Sequence, residues 1–267
     1  MIRDITIGPY YPAKSPIHRM DPRTKLFGTL IFIISVFLFH SVAGYAVATL
    51  FLAGMIIISQ VPVKFIFKGL KAIFMILMIT MVFNILLTPG EVLWKIGIFK
   101  ITREGISMAV RMAIRLVYLV IGSSLMTLTT TPNQLTDGLE KSLRPLNKIH
   151  IPVHEIAMMM SIALRFIPIL LEETDKIMKA QIARGADFES GNLIQKVKNM
   201  VPLLVPLFIS AFRRANDLAM AMEARCYHGG DNRTQMKPLH YTRRDHIAYV
   251  VLFVYLAVAI GFRVMGW

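Results

Sequence analysis

Residues 26–63 read LFGTLIFIISVFLFHSVAGYAVATLFLAGMIIISQVPV, a run without a single charged side chain. As one straight helix it would be about 57 Å long at 1.5 Å per residue. A bilayer's hydrocarbon core is only about 30 Å thick. The run therefore reads as two membrane helices with a tight turn near His40, Ser41 and Gly44. Each is short for a span, so tilt or local thinning of the bilayer is expected. Outward from it, Lys64, Lys68 and Lys71 precede a third uncharged stretch, Ala72 to Gly90. A loop carrying Glu91, Lys95, Lys100, Arg103 and Glu104 leads to a fourth span, Ile106 to Thr130. The last span, Ile247 to Phe262, is flanked by Arg243, Arg244 and Arg263.

The composition agrees. Hydrophobic residues make up 55% and charged residues 17%, yet the net charge is +14. Soluble domains carry about 25% charge. An apolar chain with a basic excess fits a membrane protein with Lys and Arg in its cytoplasmic loops. Nucleic-acid binding also needs positive charge, but not long uncharged runs. The expected class is thus an all-α polytopic membrane protein with about five transmembrane helices and a cytoplasmic region of three further helices. Arg3, Lys14, Arg19, Arg23 and Lys25 place the N-terminus inside, and an odd number of spans then puts Arg263 to Trp267 outside. Residues 1–25 form the cytoplasmic N-terminal segment, with no cleavable signal expected; 26–131 hold spans one to four, 132–245 the cytoplasmic region, and 246–267 the last span.

The region 132–245 contains apolar stretches that make poor spans. Glu155 and Arg165 bracket Ile156 to Leu164, and Pro202 and Pro206 interrupt Val201 to Phe212. Three helices on or just below the membrane are expected, with a crossing pair as the alternative. The first opens on Thr131, Pro132 and Gln134, which fit an N-cap, a first-turn proline and a capping-box glutamine. Leu135, Leu139, Leu143 and Leu146 then share one face, as in an interfacial amphipathic helix. The other two resemble each other: an apolar, proline-containing first half, a polar second half, then Ala183-Arg184-Gly185 and Ala224-Arg225-Cys226. Gly185 in one, and Gly229 and Gly230 after the other, are plausible stops.

Arg184 and Arg225 each stand at a helix end between small residues. A guanidinium there serves either the helix dipole or a paired hydrogen bond to a partner's carboxylate in a groove that a slim tip can enter. Asp21 fits the cap of a helix starting at Pro22, with Arg23 and Lys25 at the inner headgroups, or else a contact with the cytoplasmic helices. Arg111 and Arg115, four apart, either snorkel to the outer headgroups or pair with another helix. The seven histidines are scattered. His150 and His154 have ligand-like spacing, but Pro152 breaks the helix between them. Cys226 and His228, two apart, face different ways on a helix. Neither a metal site nor a catalytic group follows. No GxxxxGK[S/T] phosphate loop is present, so ATP hydrolysis is not expected in this chain. A self-contained channel or carrier would place polar groups at the midplane, where the spans offer little beyond Asn84.

Several stretches together resemble one family. His18-Arg19-Met20-Asp21-Pro22-Arg23-Thr24-Lys25-Leu26, Leu164-Arg165-Phe166-Ile167-Pro168, and the Ala183-Arg184-Gly185 and Ala224-Arg225-Cys226 tips resemble, in that order, the transmembrane T component of energy-coupling factor (ECF) transporters. The second tip departs from the family's Ala-Arg-Gly by Cys226, which is still small. The resemblance implies an L-shaped, non-catalytic scaffold in which the three further helices form a cytoplasmic bundle of three coupling helices. Two ABC-type ATPase subunits would bind ATP and Mg and dock on the tips through Ala183, Arg184, Gly185, Ala224, Arg225 and Cys226. A separate substrate-binding S component would rest on a platform including Met158, Met159, Met160, Ile167, Pro168, Leu171, Val201, Leu204 and Phe208. Ordinary helix packing is the alternative for the methionines, although methionine also suits a surface that accepts several partners. The implied function is coupling ATP-driven motion to vitamin uptake across a bacterial cell membrane; the alternative is a dedicated cobalt, nickel or biotin importer. Neither this chain's own cofactor nor nucleic acid is implied.

Overall fold

The structure is a computed structural model that describes residues 10–39, 41–96, 99–186, 188, 192–230 and 236–264. Its elements are α1 (Pro22–Leu38), α2 (Val42–Ser59), α3 (Val63–Leu87), β1 (Val92–Ile96), β2 (Phe99–Thr102), α4 (Arg103–Thr129), α5 (Pro132–Leu143), a 3₁₀ turn (Arg144–Ile149), α6 (Val153–Ala183), α7 (Leu193–Ala224) and α8 (Arg243–Val264). The protein is thus an all-helical polytopic membrane protein with one small hairpin. The described residues divide into two compact units, one within 10–138 and 239–264, the other within 139–238.

The long opening run does break into two helices. Ser41 caps α2 by accepting from the Gly44 amide at 3.2 Å; His40 lies outside the described residues. At 17 and 18 residues, α1 and α2 are about 26 Å long, a little under the hydrocarbon thickness. In this unit Phe32, Val36 and Phe39 of α1 bury against Tyr45, Ala48 and Leu52 of α2 and Tyr255 and Ala259 of α8. The Ser35 and Tyr255 hydroxyls meet at 2.6 Å, and Phe51 stacks on Tyr255 at 4.3 Å between centroids. The outward faces are apolar instead of polar: Leu50, Ile57, Phe74, Met75 and Phe253 are all more than half exposed. Water would not tolerate so large an apolar surface; lipid does.

Four expectations are corrected here. The segment taken as a loop before the fourth span holds the antiparallel pair β1–β2, with Arg103 and Glu104 already in α4. Thr102 caps α4 by accepting from the Gly105 amide. Lys25 is not a free anchor at the membrane surface: it is 8% exposed, and its ammonium donates to the Thr129 carbonyl at 2.8 Å and the His18 carbonyl at 3.2 Å. Arg115 pairs with no described carboxylate. It donates to the Phe39 carbonyl at 3.3 Å and the Tyr45 hydroxyl at 3.4 Å, satisfying an orphan acceptor at the end of α1. Arg111 donates to Ser107 in its own helix. Pro202 and Pro206 do not interrupt α7, which runs unbroken through both.

By length and composition, α4, α6 and residues Arg243–Phe262 of α8 can each cross a membrane, and α3 also qualifies if its two halves, bent by 56°, form one span. The apolar part of α6 is its first half. Glu172, Glu173, Asp175, Lys176 and Lys179 crowd the second.

A candidate docking site at two helix tips

The second unit is built around α6 and α7. His154, near the start of α6, lies against Gly230 beyond the end of α7. Farther along, Glu173 accepts from Arg214 at 2.7 Å, and Gln181 donates to the Pro202 carbonyl at 3.3 Å. Rising numbers on one helix meet falling numbers on the other, so the pair is antiparallel. The last contact has a local cause. Pro206 has no N–H, so the carbonyl four residues earlier, that of Pro202, loses its helical partner. Gln181 supplies the missing donor across the interface. Near the start of α6 the His154 imidazole also meets Glu140 of α5 at 2.9 Å. The capping box opening α5 is present, with Thr131 and Gln134 each accepting from the other's amide at 3.3 Å. Leu146, however, falls in the 3₁₀ turn and not on α5.

Both long helices end in the same way. Arg184 and Arg225 are their C-caps. The next residues, Gly185 at φ 87° and Cys226 at φ 55°, are left-handed. The Gly185 amide donates to Ile182 at 2.9 Å and the Ala186 amide to Gln181 at 3.0 Å; the Cys226 amide donates to Glu223 at 2.9 Å and the Tyr227 amide to Met222 at 3.1 Å. These are two complete Schellman motifs, matched bond for bond. The stop of α7 is therefore Cys226 itself and not Gly229 or Gly230, which follow later. Ala183, Arg184, Gly185, Ala224, Arg225 and Cys226 are all exposed. Neither guanidinium forms an ion pair with a described carboxylate. The antiparallel pairing sets the two tips about one helix length apart, roughly 46 Å for 31 residues. The His228 ring turns back onto the Cys226 carbonyl at 2.8 Å. Among the described residues no group of three His, Cys, Asp or Glu side chains is placed to hold a metal.

The apolar platform residues divide. Met159 at 58%, Met160, Ile167, Val201, Leu204 and Phe208 at 61% are exposed, whereas Met158, Pro168 and Leu171 are half-buried. On α7, Val201, Leu204 and Phe208 belong to a longer exposed stripe that includes Val197, Val205 and Phe212, at spacings of three and four. Leu203 points the other way and is buried. Val197 and Phe212 were not counted in the platform from sequence, although their period was there to read.

A buried polar cluster in the first unit fixes the N-terminal segment. Asp21 caps α1 by accepting from the Arg23 amide at 2.9 Å and holds the Arg23 side chain at 2.8 Å. That guanidinium lies 4.0 Å over the Tyr241 ring. Asp245, fully buried, accepts the Asp21 amide at 2.8 Å and both the amide and hydroxyl of Thr242. Asp245 was missed from sequence. Thr242-x-x-Asp245 before an apolar run is the capping-box signal that marks it. Pro22 packs closely on Gly138 of α5, where an added Cβ would come within 2.9 Å. Asp21 is thus the expected helix cap, and Pro22 beside it touches α5. His18 is buried beside it. Its Nε2 meets the Tyr11 carbonyl at 2.9 Å, which can only accept, so Nδ1 receives the Ser15 hydroxyl at 2.7 Å. Burial lowers the His18 pKa; the Tyr11 carbonyl pulls it up and the Lys25 charge lowers it further.

Comparison with known proteins bears on both units. The family described as cobalt transport protein, CbiQ, matches residues 13–236. The energy-coupling factor transporter transmembrane protein EcfT of Clostridium kluyveri is 57% identical over 266 residues, covering 99% of this chain and 98% of its own. The protein of the same name from Ruminiclostridium cellulolyticum is 55% identical, with 96% of each chain covered. That of Bacillus subtilis is 49% identical over 98% of this chain and 100% of its own.

Proposed function

The chain belongs to the family of energy-coupling factor transporter transmembrane proteins, and on that premise we propose that it couples two ATPase subunits to a substrate-binding S component in vitamin uptake. The observation that carries this reading is the matched pair of exposed arginine tips at opposite ends of one antiparallel helix pair. Two tips so far apart suit two separate ATPase subunits better than one. Each Schellman turn leaves its arginine in a fixed backbone frame with an unobstructed guanidinium, suited to a bidentate bond to a carboxylate in an ATPase groove. ATP and Mg belong to those partners. When the ATPases close and open, the tips move with them, and α6 and α7 transmit the motion as rigid rods pinned by Glu173–Arg214 and Gln181–Pro202. The exposed stripe of α7 and the methionines of α6 form the platform for the S component.

In this assignment α1, α2, α3, α4 and α8 span the bacterial cell membrane, the N-terminus is cytoplasmic and the C-terminus outside. The α6 helix, though long enough to cross, stays with the coupling pair because its charged second half and its docking tip need water. The N-terminal segment, His18 to Leu26, favours the shared vitamin type. The cobalt in the description of the wider family keeps a dedicated metal importer as the second reading.

The test is the double variant Arg184→Ala with Arg225→Ala, tagged and purified from native membranes. It is expected to insert and fold yet to lose the co-purifying ATPases that the unaltered chain retains. Normal recovery of both ATPases by a folded double variant would sink the anchor assignment.

A further inference from the structure

Between α1, α2, α4 and α8 lies a partly open cavity of about 300 Å³, within the size range of small-ligand sites. Its walls are almost wholly apolar, with Phe32, Phe51, Met55, Leu125, Met126 and Leu252 prominent. At one end, where the first turns of α1 and α8 meet the last turn of α4, it is lined by two cations, Lys25 and Arg244, and by no acid. Lys25 is more than nine-tenths buried and forms no ion pair with a described carboxylate. Its ammonium has three donors, of which the His18 and Thr129 carbonyls take two. The acids whose charge reaches it, Asp245 and Asp21, form no ion pair with it and are engaged by Thr242 and Arg23, so an anion at its free donor would offset the cost of burying the ammonium. We propose that this cavity binds an anionic phospholipid, with an acyl chain among the aromatic and methionine side chains and the acidic headgroup at Lys25 and Arg244.

A lipid fits better than a soluble anion because the surrounding helices turn apolar side chains outward, among them Leu50, Ile57 and Phe253. The ligand must then arrive through the bilayer, from the leaflet facing the N-terminal ends of α1 and α8. Bound there, it would tie α1, α4 and α8 together at the same end where Asp245 holds Asp21.

The full chain, purified in mild detergent, is offered phosphatidylglycerol and phosphatidylcholine with the same acyl chains, and retained lipid is read by native mass spectrometry. Two cations near the headgroup should favour phosphatidylglycerol by roughly tenfold. Arg244→Gln, at an exposed position, should remove most of that preference, and Ala248→Phe, which fills the cavity, should lower retention of both lipids. Lys25→Gln should also abolish the preference, but this side chain ties α1 to α4, so Arg244→Gln and Ala248→Phe carry the test if that variant misfolds. Equal retention of the two lipids, an unchanged preference in Arg244→Gln, or a wild-type chain that holds neither lipid would overturn the proposal. Displacement of bound lipid by a co-purified membrane protein seated on these residues would do so too, assigning the cavity to that partner.

Discussion

The matched helix tips make a quantitative claim about Cys226. It occupies the left-handed position at φ 55° that Gly185 fills at φ 87° in the sister helix. For a residue with a Cβ, that conformation costs about 1–2 kcal/mol. Replacing cysteine with glycine removes the cost but returns about 0.4–1 kcal/mol of unfolded-chain entropy. Cys226→Gly should therefore stabilise the α7 tip by about 0.5–1 kcal/mol net, the balance of those two terms. Gly185→Ala should move the α6 tip the opposite way by a similar amount, since a Cβ at Gly185 meets nothing within 4 Å and only the backbone is strained. The local reporter is hydrogen exchange at the amides that close each motif, Tyr227 for α7 and Ala186 for α6. Tyr227 exchange should slow roughly two- to fivefold in Cys226→Gly, and Ala186 exchange should quicken similarly in Gly185→Ala. Cys226→Ala is the control, because it removes the thiol but keeps the Cβ. If Cys226→Ala protects Tyr227 as well as Cys226→Gly does, the effect belongs to the thiol and the backbone argument is refuted.

Other outcomes follow from single contacts. Gln181→Leu should orphan the Pro202 carbonyl that Pro206 has already stripped of its helical partner, destabilising the α6–α7 pair by about 1–2 kcal/mol; an unchanged unfolding transition of the purified chain would show that water replaces the glutamine. His18 gives a pH dependence. Its pKa in the fold lies below the ordinary 6.5, so the unfolded chain binds the proton first as pH falls. Stability is full above about 6.5 and is lost as the pH drops towards the lowered value. Melting temperature measured from pH 8 to pH 5 should decline below 6.5, and His18→Gln should flatten that decline; an equal slope in the variant would place the titration elsewhere.

Much of the site was legible because its signals are local. Thr131 with Gln134, and Asp21 before Pro22, are caps whose donors lie within three residues, so spacing alone specifies them. The Ala-Arg-small tips are similarly short-range, and their likeness was visible before any contact was known. Where spacing misled, a distant group had intervened. The prolines in α7 look like breaks until Gln181, twenty-one residues from Pro202, repairs one lost bond. Lys25 looks like an exposed surface anchor until Thr129, at a separation of 104, takes one donor of its buried ammonium.

The sequence by itself therefore determined the class of solvent, the number and order of the long helices, their caps and the two arginine ends. Those follow from charge-free lengths measured against a bilayer and from hydrogen bonds a few residues long. Only the tertiary structure decided that α6 and α7 run antiparallel with their tips at opposite ends, that Asp245 locks Asp21, and that an apolar cavity with two cations at one end opens between α1, α2, α4 and α8. Such features depend on which faces meet, and within a bilayer nearly every face is apolar. Hydrophobic pattern then no longer says which side of a helix is inside, and packing shape with a few long-range polar contacts makes the choice.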